Sequence, residues 1–278
     1  MEADASAVLL QLPPGLRREF RLSGPDLAVA RLPSVANTVV RVTTPRADLI
    51  VRISSPRDPA YVAAERAALH RASALGLGPE VVWFGADGAL LVTRTIRGRT
   101  LAARDIRIPS TAAAIGAALR RFHASTVALP TEDLGHLLAR LDSSSTKHQE
   151  FAVSSRLRAA VTTAAAHQID PVPSHGDPHA ANWLLSEAGL RLVDWEYARL
   201  HEPAWDLATV ALDIGAGEPA IEALLGGYGA DDQVRLRLWP AALLVLVVDS
   251  LWSMTHLRDV ARARTRLETA EALARQIG

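Results

Sequence analysis

Short apolar runs of four to six residues, many of them β-branched, mark the first ninety positions of this chain. Residues 27–31, 39–43 and 49–53 are such runs, parted by Pro33-Ser34 and by Thr44-Pro45-Arg46-Ala47-Asp48. They predict strands, the last two forming a hairpin. From residue 59 to 75 the period lengthens. Tyr61 and Val62, Ala64 and Glu65, Ala68 and Leu69 recur at helical spacing. Gly76-Leu77-Gly78-Pro79 closes that helix, a glycine cap followed by proline. Residues 81–84 and 90–95 then predict two strands joined by Ala86-Asp87-Gly88.

After Gly98 the texture changes. Ser110 predicts an N-cap for a helix through residue 124, and residues 156–167 predict an alanine-rich helix. The polar segment 142–147 between them reads as a loop. Strand-like runs at 183–185 and 190–193 flank Glu187-Ala188-Gly189, and from residue 204 the pattern is helical, broken by Gly215, Gly217, Gly226-Gly227 and Gly229. No internal repeat is present. The pattern predicts an α+β fold. A β-rich N-terminal lobe would cover residues 1–96 and a larger helical lobe residues 97–278, with the connection near Ile96-Arg97-Gly98.

Composition narrows the class. The 278 residues suffice for a sizeable core, and 49% hydrophobic with 22% charged residues are ordinary globular values. A formal net charge of zero gives no basic excess to hold nucleic acid or an anionic membrane. The absence of cysteine excludes disulfides, thiolate metal sites and cysteine nucleophiles. The first twelve residues carry Glu2 and Asp4 and no Lys or Arg, unlike a secretory signal. The longest apolar run, residues 239–248, contains Pro240 and stops at Asp249, too short to span a bilayer as a helix. The expectation is a soluble, cytoplasmic protein.

The candidate chemistry lies in Ser174-His175-Gly176-Asp177-Pro178-His179-Ala180-Ala181-Asn182, followed by Leu192-Val193-Asp194-Trp195-Glu196. An Asp, an Asn five residues on and a second Asp twelve beyond that form the trio that kinase-type phosphoryl transfer needs. One carboxylate beside the acceptor hydroxyl orients it or takes its proton, which makes Asp177 the base or orienter. Asn182 and Asp194 offer hard oxygen donors suited to Mg²⁺. The strand–turn–strand between them is the connection that would bring the two together.

This stretch resembles the aminoglycoside phosphotransferase and choline kinase superfamily, small-molecule kinases with a protein-kinase-like fold. Glu196-Tyr197-Ala198 and Pro203-Ala204-Trp205-Asp206-Leu207-Ala208 look like its choline-kinase and thiamine-kinase branch. The resemblance covers residues 30 to 255 and is specific from 174 to 208. It implies ATP or GTP with Mg²⁺ as cofactors and a small-molecule hydroxyl as acceptor. His175 and Asp206 would then brace the catalytic loop. Arg52 would contact the nucleotide phosphates and Glu65 would pair with it, arginine standing where many relatives carry lysine. The phosphate loop would be residues 32–38, with Ser34, Asn37 and Thr38. The hinge on the nucleotide ring would be residues 91–96, with Thr93, Thr95 and Ile96. The branch favours choline, ethanolamine or thiamine as acceptor. An antibiotic hydroxyl (aminoglycoside, nucleoside or peptide) is the second choice, and a non-catalytic nucleotide-binding pseudokinase a remote third.

Other residues have two readings each. Trp205, Tyr228, Trp239 and Trp252 would line an acceptor pocket by cation–π attraction, or fill the core of the late helices. Asp249 and Trp252 lie on the stretch that borders the acceptor in the resembling branch. Glu196 would meet a cationic acceptor or fix its loop. His175 and His179 imitate a metallohydrolase cluster, a reading that leaves the Asn182-to-Asp194 continuation unexplained. The arginines from Arg258 to Arg266 read as a solvated helix face.

Overall fold

The structure is a computed structural model, and it describes residues 5–34, 37–131, 134, 139, 153–215 and 219–277. The polar segment 142–147, two positions of the expected phosphate loop, and Gly217 lie outside the described residues. The chain divides into two compact units, Met1–Arg99 with Leu184–Glu196, and Thr100–Trp183 with Tyr197–Gly278.

In the first unit, β1 (Ala28–Leu32), β2 (Thr38–Thr44), β3 (Ala47–Ile53), β4 (Val81–Phe84) and β5 (Leu90–Arg94) form an antiparallel sheet of order β1-β2-β3-β5-β4. Alternation sorts the faces: Val40, Val42, Leu49, Val51 and Val92 pack with Val8, Leu9, Leu12, Leu16 and Phe20. Those last residues belong to α1 (Ala5–Leu10), α2 (Pro14–Glu19) and the turns that follow each, which strand patterning alone did not anticipate. The even-numbered β3 positions point to the opposite face, and there Arg52 is buried. Helix α3 (Pro59–Ala74) has Asp58 as N-cap, its carboxylate accepting from the Ala60 N–H at 2.7 Å, and Pro59 in the first turn. It buries Val62, Glu65, Ala68 and Leu69 on one side. The short strand β6 (Gly98–Thr100) lies beside the hairpin made by β8 (Trp183–Ser186) and β9 (Gly189–Leu192). The Leu192 N–H donates to the Leu77 carbonyl at 2.7 Å, which ties the hairpin to the turn after α3.

The second unit is helical. It comprises α4 (Ala103–Ile106), α5 (Pro109–His123), α6 (Ser155–Ala166), α7 (Pro203–Ile214), α8 (Pro219–Tyr228), α9 (Asp232–Trp252) and α10 (Val260–Ile277), with a two-stranded ladder of β7 (Val172–Ser174) and β10 (Arg199–His201). Leu157, Val161, Trp205, Leu243, Leu244, Val247, Leu251 and Leu267 lie in its core. Helix α9 corrects one expectation. It runs 21 residues, through both Pro240 and Asp249, so the apolar run 239–248 is only its middle. Asp232–Leu257 is long and apolar enough to cross a membrane by length and composition, and 56% of its apolar window is buried inside the protein. Arg237 of α9 reaches Glu202 through two 2.7 Å hydrogen bonds and the Ala164 carbonyl at 2.8 Å, so these partners of the buried pair come from within the unit.

Candidate active site

Two clusters hold the sequence-derived candidates, one in each unit. In the first, Arg52 on β3 and Glu65 on α3 form an ion pair, Nη2 to Oε1 2.6 Å, with Glu65 fully buried. The other guanidinium nitrogen, Nη1, lies 3.4 Å from Asp194 Oδ1 and 3.9 Å from Glu196 Oε2. Burial works against the charge of Arg52, but Glu65, Asp194 and Glu196 together raise its pKa above the ordinary value, so it stays a cation. Asp194 follows β9 directly and has a left-handed backbone, φ 67°, a conformation a non-glycine residue adopts at a cost of about 1 kcal/mol or more. Crowding by protein and the nearby Glu196 carboxylate push its pKa up, while Arg52 pulls it down.

Sequence reasoning missed Arg57. It pairs with Glu65 on one side and lies 3.4 Å from Glu196 on the other, so Glu65 serves two arginines. Its position in the loop before α3, five residues from Arg52, carries no periodic signal that would have found it. Asn37 donates from Nδ2 to the same Glu196 oxygen at 3.4 Å, and its own N–H donates to Ser34 Oγ at 3.3 Å. Thr38 opens β2 opposite Ile53. Thr93 is buried in β5, Thr95 donates to Asp48 Oδ1 at 2.8 Å, and Ile96 follows in the segment leading to β6.

In the second unit the loop from His175 to Asn182 is fastened at almost every residue. The Asp206 carboxylate accepts the N–H of His175 at 2.8 Å and that of Gly176 at 2.9 Å, and also contacts His123 Nε2 at 3.0 Å. Burial alone would raise the Asp206 pKa, but the His123 hydrogen bond and the backbone donors outweigh it and hold it below the usual carboxylate range. Trp205 is buried; its indole N–H donates to the Gly176 carbonyl at 3.0 Å and its ring stacks on His201, which puts it beneath the loop. Gly176 has φ 87°, and a Cβ there would meet the Tyr197 carbonyl oxygen at 2.3 Å, so only glycine fits. The Asp177 N–H donates to His175 Nδ1 at 3.2 Å. The Asn182 amide nitrogen donates to the Asp177 carbonyl at 2.9 Å, which turns its amide oxygen the other way.

The remaining candidates sit on or near α9. Asp249 accepts from Arg262 at 2.9 Å and from Arg266 at 2.7 Å. The Arg262 guanidinium lies 6.0 Å from the Trp252 ring centroid, and Trp252 stacks on His256. Tyr228 is a partner of His123, its hydroxyl 3.0 Å from Nδ1, and is buried. Among the described residues no group of three or more His, Asp or Glu side chains is placed to hold a metal by itself. His179 thus has no such partners for the metallohydrolase reading.

An antiparallel sheet with one buried Arg–Glu pair, and a helical unit carrying a braced Asp–Asn loop, define a protein-kinase-like fold of the small-molecule kinase class. The chain belongs to the phosphotransferase enzyme family, whose profile matches residues 29–239. It is similar in structure to a choline/ethanolamine kinase family protein from Mesorhizobium loti, with TM-score 0.76 and 24% identity, covering 100% of this chain and 95% of that one. It is also similar to the choline kinase LicA from Streptococcus pneumoniae, TM-score 0.77 and 20% identity over 94% and 98% of the two chains; LicA has also been solved with AMP. A thiamine kinase from Salmonella paratyphi B is 35% identical over 81 residues, which span 27% of this chain and 28% of that protein.

Proposed function

We propose that this protein transfers the γ-phosphoryl group of ATP or GTP to the hydroxyl of a small amino alcohol (choline or ethanolamine) or of thiamine. The observation that carries the reading is the loop from Asp177 to Asn182, closed by the Asn182 amide on the Asp177 carbonyl and braced by Asp206. In it, Asp177 orients the acceptor hydroxyl and takes its proton as the acceptor oxygen bonds to phosphorus and the bond from γ-phosphorus to the leaving oxygen breaks. Arg52 holds phosphate oxygens with its planar fork, and Glu65 fixes that fork from behind. Ser34, Asn37 and Thr38 lie along the phosphate loop, and Thr93, Thr95 and Ile96 along the hinge for the nucleotide ring. The AMP complex of the similar choline kinase supports the nucleotide assignment.

Asn182 and Asp194 would hold Mg²⁺. The donor set fits: one amide and one carboxylate oxygen leave the remaining positions to phosphate and water, the usual arrangement for this ion. Bound there, the ion would neutralise charge developing on the phosphates. On the acceptor side, the Trp252 face already accommodates the Arg262 guanidinium at cation–π range, which supports a positively charged acceptor. Asp249 would supply a carboxylate for the same purpose, and Glu196 is the second candidate for that role. The protein would work in the cytoplasm without nucleic-acid or membrane partners.

A nucleotide-consumption screen with MgATP and MgGTP against choline, ethanolamine, thiamine, and aminoglycoside, nucleoside and peptide antibiotics tests the reading. Turnover of choline, ethanolamine or thiamine, abolished by Asp177→Asn and by Asp194→Ala in folded protein, is the expected result. Turnover of an antibiotic alone would overturn the metabolic acceptor. Undiminished transfer by either variant would overturn the roles.

A further inference from the structure

His179 belongs to none of the roles above, yet its ring meets a partner at each end. Nδ1 accepts the Ala181 N–H at 3.2 Å, as the cap of the 3₁₀ turn Ala180–Asn182. A nitrogen that accepts a hydrogen bond carries no proton, so the ring proton of the neutral imidazole sits on Nε2. Nε2 lies 3.4 Å from Asp177 Oδ2. The turn cannot easily rotate to break this arrangement. The Ala180 N–H is held by Asp213 Oδ2 at 2.7 Å, and the Asn182 N–H by the His179 carbonyl at 2.9 Å. Every N–H of the three-residue turn is therefore occupied.

We infer that His179 is a positioning residue for phosphoryl transfer, its backbone-selected Nε2–H tautomer donating to one oxygen of Asp177 and so setting the angle at which that carboxylate meets the acceptor hydroxyl. This rests on Asp177 acting as the base. A base that can rotate freely samples unproductive orientations, and a misplacement of about 1 Å near the reacting atoms costs up to about a hundredfold in rate. His179 restrains that freedom without touching the reacting atoms. Such a bond would account for a histidine beside the base without a metal.

Two substitutions separate the two ends of the ring. His179→Asn keeps an acceptor near the Nδ1 position, and so the cap on Ala181, but has no donor that reaches Asp177. His179→Gln reaches the Nε2 position with an amide N–H. Rates are measured with MgATP on the best acceptor from the screen, or on water as hydrolysis where none is found. The expected result is that His179→Asn melts as the wild type does, loses about tenfold or more in kcat, and keeps its nucleotide KM within about twofold. His179→Gln should recover most of the lost rate. Wild-type kcat in His179→Asn, no recovery in His179→Gln, or a raised nucleotide KM with unchanged kcat would each overturn the inference. Independently of any activity, ¹⁵N-detected NMR of the wild-type ring should show Nε2 protonated and Nδ1 bare; the opposite tautomer would overturn it. If Asp177→Asn retained full activity while the tautomer proved correct, the assignment of the base would fail, and the positioning role with it, while the tautomer would stand.

Discussion

Arg52 and Glu65 face each other at 2.6 Å across the space between β3 and α3, the glutamate with no solvent exposure at all and the arginine side chain with 8%. A buried pair like this is poor evidence of stability on its own, because desolvation cancels much of the attraction. Removing one partner is another matter. Glu65 also neutralises Arg57, so Glu65→Ala leaves two arginines short of an anion. It should destabilise the protein by about 3–5 kcal/mol, read as a lower urea midpoint. Arg52→Lys keeps the charge and loses the fork. It should melt near the wild type yet raise the nucleotide KM about tenfold or more. Equal nucleotide KM in Arg52→Lys and wild type would remove Arg52 from the phosphate site.

Asp206 offers a second separation. Its carboxylate accepts two backbone N–H groups of the loop and one histidine nitrogen; the His175 and His123 donors are buried and the Gly176 donor is partly buried. Asp206→Ala orphans those donors at about 1–3 kcal/mol each, so the variant should lose much of its stability along with its activity. Asp206→Asn retains one acceptor oxygen and should fold, with kcat reduced and nucleotide KM little changed, because the loop that carries Asp177 is loosened while the first unit is untouched. Steady-state kinetics alongside thermal melts decide it: full kcat in a folded Asp206→Asn would show that the brace is dispensable.

Acid stability should carry the signature of His201. Burial lowers its pKa from the ordinary 6.5 to about 4, with Asp206 opposing and Arg199 assisting. The unfolded chain therefore binds a proton between pH 6.5 and about 4 that the folded chain does not. Stability from this group is complete above pH 6.5, falls as the pH drops through that window, and levels off below about 4. A shift of this size corresponds to about 3 kcal/mol. His201→Phe preserves a ring for Trp205 to stack on and removes the proton. Urea titrations at pH 7 and pH 4.5 should show a smaller loss for the variant than for the wild type. Identical losses would mean that His201 does not titrate on unfolding as proposed.

The strands of the first unit and the Asp177–Asn182–Asp194 spacing were legible because both are local: alternation over a few residues, and a motif of fixed intervals. The predicted strands 27–31 and 39–43 match β1 and β2 to within one residue at each end, and 49–53 starts two residues after β3 and ends with it. Helix α9 is longer than the apolar run 239–248 that stood out within it, because tertiary burial of Leu243, Leu244, Val247 and Leu251 keeps the helix whole through Pro240 and past Asp249. α1 and α2 were invisible because their few apolar residues acquire a face only against Val42 and Leu49. The Asp206–His123–Tyr228 chain and the Arg57–Glu65 pair join residues 83, 105 and 8 positions apart, and no local pattern encodes such pairings.

Neighbouring glycines on α8 should respond to the same substitution in opposite directions. A Cβ on Gly227 would meet the Ala113 carbonyl oxygen at 2.1 Å, and one on Gly116 of α5 would meet the Leu224 carbonyl oxygen at 2.2 Å, so these two helices cross with their backbones nearly in contact. Both obstacles are backbone atoms, which cannot swing aside. Gly227→Ala must push the helices apart and should cost about 1–3 kcal/mol or more. Gly226, one residue earlier, has no atom within 4 Å of its would-be Cβ, and its φ needs no glycine. Gly226→Ala should therefore stabilise the protein by about 0.5–1 kcal/mol through helix propensity and a less flexible unfolded chain. Thermal melts of the two single variants measure the contrast directly. If both lowered the melting temperature by similar amounts, the close crossing of α5 and α8 would not be the reason glycine stands at 227.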